Sequence, residues 1–274
     1  MLRDLTIGQY YETKSKIHRL DPRVKLFGTL CYMLAIFMAQ NVIGYILSAV
    51  FLILVINISN VPFRYIAKGL KSIVILIIFS SIFSLFFTDG RVILDLYICD
   101  ITIEGIIMCI KLASRLAMMI MGASIMTYTT TPTDIADGLE KSFSPLKKVK
   151  VPVHDIAMMV SIAFRFIPIL VEETDKIMKA QMARGADFEG KGLVKKAKAM
   201  VPLIVPLIVS SIKRALDLAT AMEARCYRGG DGRTKMKPLR YKKYDAVAYV
   251  LLFVHFGVVI GSNFLYNIIM DISV

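Results

Sequence analysis

The chain has 274 residues, of which 56% are hydrophobic, and its mean hydropathy is +0.62. Soluble domains carry roughly 45–50% apolar residues and alternate apolar with polar positions, whereas here the apolar residues form long runs. The sequence therefore predicts an all-α polytopic membrane protein. The net charge of +13 fits cytoplasmic connectors that obey the positive-inside rule, or an acidic protein partner, better than it fits nucleic acid.

The first apolar segment, Leu26–Asn57, is too long for one membrane helix and is broken by polar residues near Asn41. Because about 20 residues cross a bilayer, we expect two short helices joined by a tight turn at this point. Asp21 and Pro22 are a typical helix start, with a capping carboxylate followed by proline in the first turn.

Three further spans are predicted, and the charges of the connectors between them indicate the orientation. They cover about Ser72–Phe87, Ile106–Tyr128 and Ala246–Met270, which gives five spans in all. The N-terminal segment and the connector with Arg64, Lys68 and Lys71 are basic, whereas the connectors near Asn41 and Asp95 are not. The positive-inside rule then places the N-terminus in the cytoplasm and the C-terminus outside.

These spans predict three parts of the chain: a membrane part with four helices (1–128), a cytoplasmic region (129–244) and a last membrane helix (245–274). The cytoplasmic region contains two apolar runs, Ile156–Val171 and Ala199–Ile212. Each run is interrupted by residues that disfavour a membrane-spanning helix, namely Arg165, Pro168, Pro202 and Pro206. We expect two long helices whose apolar halves pack against the membrane part, and a seven-span arrangement is the alternative. A shorter helix is expected to start at Thr131-Pro132 and to stop before Pro145.

The two long helices end in similar sequences, Ala183-Arg184-Gly185 and Ala224-Arg225-Cys226. An arginine between small residues at a helix end is always charged and presents five N–H donors in a rigid fork. Two such ends could together present a paired cationic plug to an acidic groove on a partner. The alternative is that each is an ordinary helix C-terminus, where a basic residue complements the helix dipole. The residues alone leave both interpretations open.

The sequence contains no signal for chemistry of its own. It has no phosphate-binding glycine-rich loop with the required spacing, since Gly190-Lys191-Gly192 is too short, and its cysteines and histidines do not cluster. We therefore expect no catalytic residue, cofactor or metal, and we expect any ATP to be bound by partner proteins. Lys111 and Arg115 lie inside a predicted span, where they either mark a substrate path or reach a helix surface or the membrane interface.

Sixteen methionines are present, and several lie in pairs. They are either apolar filler or a docking surface that can repack against different partners. The second interpretation predicts contacts with a partner through Met118, Met119, Met158 and Met159.

Several short motifs together resemble the T component, the transmembrane coupling subunit, of energy-coupling factor transporters. In chain order they are Gly8-Gln9-Tyr10, Ile17 to Lys25 (IHRLDPRVK), Thr131-Pro132 with Gly138-Leu139-Glu140, Arg165 to Pro168 (RFIP) with Glu172-Glu173, Ala180 to Gly185 (AQMARG), Arg214-Ala215 and Ala221 to Arg225 (AMEAR). Their order and spacing cover nearly the whole chain. In this family the second arginine motif usually ends in glycine, whereas this chain has Cys226.

The resemblance implies a subunit of the bacterial cell membrane without enzymatic activity. Its partners would be the lipid membrane, two ABC-type ATPases that bind Arg184 and Arg225, and a substrate-binding S component for a micronutrient such as a vitamin or a metal ion. A self-sufficient secondary transporter is the alternative, although such proteins normally show internal repeats. A membrane enzyme would need clustered acids or a His/Asp motif at the end of a span.

Overall fold

The structure is a computed structural model that describes residues 10–71, 73–88, 90, 92–96, 99–149, 152–186, 188, 193–229 and 238–272. It divides into two compact units. We call Gly8–Gly138 together with Leu239–Val274 the core unit, and Leu139–Pro238 together with Met1–Ile7 the helix-pair unit. Each unit is described separately below.

The core unit is built mainly of helices. They are α1 (Pro22–Met38), α2 (Val42–Ser59), α3 (Phe63–Lys71), α4 (Val74–Phe87), α5 (Ile103–Thr129) and α9 (Lys243–Ile272). Two short antiparallel strands, β1 (Val92–Leu96) and β2 (Cys99–Thr102), lie between α4 and α5. Helix α6 (Pro132–Ser142) follows α5, and its first turn is capped by the Thr131 hydroxyl, which accepts from the Asp134 amide at 3.2 Å.

Helix α1 begins as the sequence predicts, at Asp21-Pro22. The Asp21 carboxylate accepts hydrogen bonds from the backbone N–H and the guanidinium of Arg23 at 2.9–3.0 Å. The Asp21 amide donates in turn to the Asp245 carboxylate at 2.9 Å. The guanidinium of Arg23 lies over the Tyr241 ring, 3.8 Å from its centre. Lys25, which is 9% exposed, donates to the Thr129 carbonyl at 2.8 Å. We call these five charged or aromatic residues, Asp21, Arg23, Lys25, Tyr241 and Asp245, the α1 junction.

The other end of α1 is held by side chains from two helices. The last carbonyls of a helix lack a partner within the helix. Here the Met38 carbonyl accepts from Asn263 at 2.7 Å, the Ala39 carbonyl from Arg115 at 3.0 Å and the Gln40 carbonyl from Lys111 at 3.3 Å. Asn41 is the N-cap of helix α2, and its side chain accepts from the Gly44 amide. The tight turn predicted near Asn41 is therefore present and is tied to α5 and α9.

The hydrophobic core of this unit lies among α1, α2, α5 and α9. Ala35 and Ile36 of α1, Ile66 of α3 and Val259 of α9 are fully buried. Gly122 of α5 allows the close approach of Tyr32, because a Cβ at this glycine would lie 2.8 Å from the ring. Many other apolar side chains of the same helices remain exposed, such as Phe37 at 65% and Ile75 at 80%, as a lipid-facing surface requires.

The helix-pair unit contains two long helices. They are α7 (Val153–Ala183), which includes Pro168, and α8 (Leu193–Ala224), which includes Pro202 and Pro206. A short 3₁₀ helix (Ser144–Val149) precedes α7. The two apolar runs noted in the sequence therefore do belong to two long helices.

Five described helices are long and apolar enough to cross a membrane, and six if α3 and α4 form one bent span. The sequence also predicts five spans, but the two sets do not contain the same helices. Helices α2, α5 and α9 match predicted spans, whereas α7 and α8 also qualify by length and composition. Helices α1 and α4, with 17 and 14 residues, are short for a span. Helix α3 and the β1–β2 hairpin lie in segments that the sequence analysis treats as connectors.

Candidate functional site

The end of α7 is a complete Schellman motif. The Gly185 amide donates to the Met182 carbonyl at 2.9 Å, and the Ala186 amide donates to the Gln181 carbonyl at 3.0 Å. Gly185 has a φ of +90°, a left-handed conformation that glycine adopts without steric cost. This bonding leaves Arg184 as the last residue before the chain reverses. Capping is thus a role of the backbone, and the arginine side chain takes no part in it.

The end of α8 repeats this geometry residue by residue. The Cys226 amide donates to the Glu223 carbonyl at 2.8 Å, and the Tyr227 amide donates to the Met222 carbonyl at 3.0 Å. Cys226 has a φ of +55° and therefore occupies the position that Gly185 holds at the first end. The departure from the family pattern at this position thus keeps the cap, at the steric cost of a Cβ in the left-handed region.

Both arginines are exposed at these caps. In the described part of the chain, neither guanidinium has a hydrogen-bond or ion-pair partner. Each charge also lies at a helix C-terminus, where the partial negative charge of the unpaired carbonyls favours a cation. The two ends are therefore oriented, charged and unpaired, and each can donate to a carboxylate or to carbonyls on another protein.

Among the described residues, two polar contacts connect α7 with α8. Glu173 of α7 accepts from the Ser210 hydroxyl at 2.8 Å and forms an ion pair with Arg214. Eight residues later on α7, the Gln181 side chain donates to the Pro202 carbonyl at 3.3 Å. This carbonyl lacks its usual helical partner, because Pro206 has no N–H to donate four residues further on. Gln181 therefore satisfies a backbone group that the proline leaves open.

The order of these contacts shows that α7 and α8 run antiparallel. From the first contact to the second, the residue number rises on α7, from 173 to 181, and falls on α8, from 214 to 202. The C-terminal ends of the two helices therefore point in opposite directions. Arg184 and Arg225 lie at opposite ends of the pair rather than side by side.

The distance between the two arginine ends follows from the positions of the Glu173–Arg214 pair. Arg184 comes eleven residues after Glu173 (184 minus 173), and Arg225 comes eleven residues after Arg214 (225 minus 214). At 1.5 Å per residue each end lies about 16 Å from the ion pair, so the two ends are on the order of 30 Å apart. The sequence analysis did not predict that Glu173, Ser210 and Gln181 make contacts between the two helices. Arg184 and Arg225 are 41 positions apart, and so are Glu173 and Arg214. This shared spacing is the sequence signal that could have predicted the Glu173–Arg214 ion pair.

The four methionines predicted to contact a partner lie in different environments. Met118 is 6% exposed and belongs to the hydrophobic core of its unit, whereas Met119 packs against that core. Met158 is half-buried on α7, and its neighbour Met159 is 58% exposed. Met118 also forms part of an open apolar groove between α2 and α5, with a volume of about 360 Å³. Its lining residues are Val42, Tyr45, Ile46, Ala49, Ser114, Ala117, Met118 and Met121.

Several charged and histidine side chains of the described helices make contacts within the protein. Arg115 and Lys111 of α5 donate to the carbonyls of Ala39 and Gln40, which directly follow α1. His255 stacks on Phe51 with ring centres 4.3 Å apart, and the His154 ring bonds to Glu140 at 2.9 Å. Among the described residues, no group of three His, Cys, Asp or Glu side chains could hold a metal ion. The segment Gly190-Lys191-Gly192 lies outside the described residues.

Electrostatics at the α1 junction favour a charged Asp21. Burial raises the pKa of its carboxyl, but the hydrogen bonds and the positive charge of Arg23 outweigh burial and hold the pKa below its ordinary value. The neighbouring His18 accepts or donates at Ser15 Oγ, 2.7 Å away. Burial lowers the pKa of His18 below its ordinary value, against the opposing effect of the Tyr11 carbonyl. Three residues of the motif from Ile17 to Lys25, namely Asp21, Arg23 and Lys25, thus bond within the core unit, whereas Arg19 is exposed.

Comparison with known proteins agrees with this architecture. Residues 13–236 match the family model of CbiQ, described as a cobalt transport protein. Three similar proteins are each called energy-coupling factor transporter transmembrane protein EcfT. The protein of Clostridium kluyveri is 49% identical over 90% of this chain and 93% of its own length. The protein of Ruminiclostridium cellulolyticum is 47% identical over 90% of this chain and 92% of its own length. The protein of Bacillus subtilis is 44% identical over 93% of this chain and 96% of its own length. The chain therefore belongs to the CbiQ/EcfT family, the transmembrane T components of energy-coupling factor transporters.

Proposed function

We propose that this T component couples two ABC-type ATPases to a substrate-binding S component, so that ATP hydrolysis drives the uptake of a micronutrient such as a vitamin or a metal ion. The observation that carries the proposal is the pair of identical caps that present Arg184 and Arg225, exposed and unpaired, at opposite ends of one antiparallel helix pair. A separation on the order of 30 Å suits two grooves on two different protein subunits. It does not suit two donors that converge on one small ligand.

The antiparallel order also bears on how α7 and α8 lie in the membrane. If both helices crossed the bilayer, their C-terminal ends would emerge on opposite faces, because the helices run in opposite directions. ATPases that use cellular ATP meet the protein only at the cytoplasmic face. The proposal therefore requires α7 and α8 to lie along that face, although both are long and apolar enough to span. The N-terminus and residues 129–244 are then cytoplasmic, and the C-terminus is outside.

Charge supports the same orientation. Residues 129–244 contain most of the excess of basic over acidic residues in the chain, as expected for a segment that stays in the cytoplasm. The Arg184 and Arg225 guanidinium groups can only donate hydrogen bonds, since arginine has no acceptor atom in its side chain. The partner grooves should therefore present carboxylates or carbonyls.

The decisive experiment replaces the two arginines in the assembled transporter. Arg184→Ala, Arg225→Ala and the double variant are expressed with the partner subunits, and Lys179→Ala, an exposed cation one turn before the first end, is the matched control. We expect each single change to weaken ATPase co-purification and the double change to abolish both co-purification and transport. Removing one partner of a buried charged contact costs about 2–5 kcal/mol at an interface. Normal transport by the double variant would refute the proposal.

The same preparation separates this function from a self-sufficient secondary transporter. The purified chain is reconstituted alone in liposomes and is tested for uptake driven by an ion gradient. Uptake without any ATPase would favour the secondary transporter. We expect none.

The place where the S component binds is a separate part of the proposal. The half-buried Met158 and the exposed Met159 are adjacent on α7, where flexible side chains can adapt to different partners. Replacing both with leucine keeps the apolar surface and removes this adaptability. We expect the double variant to impair some S components more than others in a transport assay, and an equal effect on all of them would argue for simple packing.

A further inference from the structure

We infer that Glu173 and Arg214 are positioning residues, and that their ion pair is the pivot about which α7 and α8 turn against each other during coupling. This inference rests on the proposed function, because it assigns a role in transmitting motion between the two arginine ends. It assigns a role to two residues that lie away from the arginine ends themselves.

The first argument is the position of the pair. Glu173 and Arg214 are each eleven residues from the arginine at the end of their own helix (184 minus 173; 225 minus 214). The two helices extend from this point in opposite directions as arms of equal length, about 16 Å each. Displacement of one end relative to the other is then a rotation about the ion pair. Contacts near the pivot change least, and contacts near the ends change most.

The second argument is the chemistry of the pair. Glu173 accepts from both Arg214 and Ser210, so one carboxylate bonds to two residues one helical turn apart on α8. Such a contact fixes the point where the two helices meet. It leaves the crossing angle between them free, because only one residue of α7 takes part in it. The side chains are 23% and 39% exposed, so the pair is neither fully desolvated nor a loose surface contact.

The third argument is the contrast with the other contact between the helices. Gln181 and the Pro202 carbonyl form one neutral hydrogen bond of 3.3 Å at an exposed position, and it lies only three residues from Arg184. A neutral bond in contact with water is worth little net energy. It can therefore open and close as the helices turn, whereas the charged pair persists.

The test combines transport, ATPase binding and a charge swap. Glu173→Gln and Arg214→Gln each remove the ion pair and keep a polar side chain. The matched controls are the neighbouring exposed residues, in Glu172→Gln and Lys213→Gln. We expect each pivot variant to retain its ATPases, to hydrolyse ATP and to lose about ten-fold in transport rate, as a coupling residue should. The swap Glu173→Arg with Arg214→Glu should restore transport to within about three-fold of the unmodified protein.

A distance measurement tests the pivot directly. Spin labels at Lys179 and Thr220, which are both exposed and five residues before the two arginines, report the separation of the ends in the complex. The native cysteines are replaced for this purpose. We expect the distance distribution to shift when ATP binds to the unmodified complex, and to be broad and unresponsive to ATP in Glu173→Gln.

The outcomes distinguish this inference from the proposed function. If Glu173→Gln loses its ATPases, the pair serves docking or folding and the pivot is wrong. If its transport rate and its distance distribution are unchanged, or if the charge swap does not restore transport, the pivot is also wrong. If the unmodified chain binds no ATPases at all, it is the proposed function that fails.

Discussion

The α1 junction and the α7–α8 pair use similar charged residues in opposite ways. In the junction, Asp245 is 1% exposed, and its carboxylate accepts from two backbone amides, those of Asp21 and Lys242. In the helix pair, Arg184 and Arg225 are exposed and have no partner in the described part of the chain. The charged groups of the junction bond to backbone and side chains of the core unit, whereas the two arginines of the helix pair remain exposed.

This difference shows that a motif that identifies a family can have its charged side chains bonded within its own fold. The motif from Ile17 to Lys25 is the longest one behind the resemblance, yet its residues bond within the core unit. Lys25 reaches the Thr129 carbonyl at the end of α5, and the Asp21 amide reaches α9. Arg184 and Arg225, in two shorter motifs, are exposed and have no partner among the described residues.

The largest effect on stability is expected from Asp245→Ala. The change leaves the buried amide of Asp21 and the amide of Lys242 without their acceptor, which costs about 2–4 kcal/mol. Thermal unfolding of the purified chain in detergent measures the loss. The control is Asp217→Ala, an exposed carboxylate on α8, which should change the free energy of unfolding by less than about 0.5 kcal/mol. Equal effects of the two changes would remove the contrast drawn above.

A smaller effect is expected from pH at the same junction. The pKa of Asp21 is lower in the folded protein than in the unfolded chain. Its contribution to stability is therefore complete above the ordinary aspartate pKa of about 4 and is lost as the pH falls through the lower folded value. Unfolding measured from neutral to acidic pH should show this loss. Asp21→Asn keeps a capping side chain and cannot titrate, so its stability should fall less steeply below about pH 4. Parallel curves for the two proteins would contradict the assignment.

The smallest effect on stability is expected at the two helix caps. One substitution removes the glycine from the first cap, and the other introduces a glycine into the second. Gly185→Ala places a Cβ at a φ of +90°, where no neighbouring atom lies within 4 Å, so only backbone strain opposes it. We expect a loss of about 1 kcal/mol, and a gain of similar size or less from Cys226→Gly. Amide hydrogen exchange at Ala186 and Tyr227, the donors of the two caps, should become faster in the first variant and slower in the second. An unchanged rate at Tyr227 in Cys226→Gly would show that cysteine fits this cap without strain.

The sequence predicts those parts of the fold that depend on neighbouring residues. The starts of α1, α2 and α6 follow from Asp21-Pro22, Asn41 and Thr131-Pro132, because a capping side chain and a proline act within one turn. The ends of α7 and α8 are predictable for the same reason. The resemblance to T components is confirmed by the comparisons as well.

Contacts between distant residues were not predictable from the sequence. Nothing local to Glu173 or Gln181 shows that α7 and α8 run antiparallel, so the opposite directions of the two arginine ends went unnoticed. Likewise, Lys111 and Arg115 appear as charges inside a predicted span until α1 is seen to end beside them. Helix α3 was missed because its basic residues, Arg64, Lys68 and Lys71, resemble a connector when their neighbours are unknown.

The sequence separations of these contacts also bear on the order in which the chain folds during synthesis. The contacts between α7 and α8 join residues 21 and 41 positions apart, so the pair can form soon after residue 214 has been made. The bond between Asp21 and Asp245 spans 224 positions, and it must wait for the last helix. Because local contacts are expected to form before distant ones, we expect the α7–α8 pair to assemble during synthesis before the core unit closes.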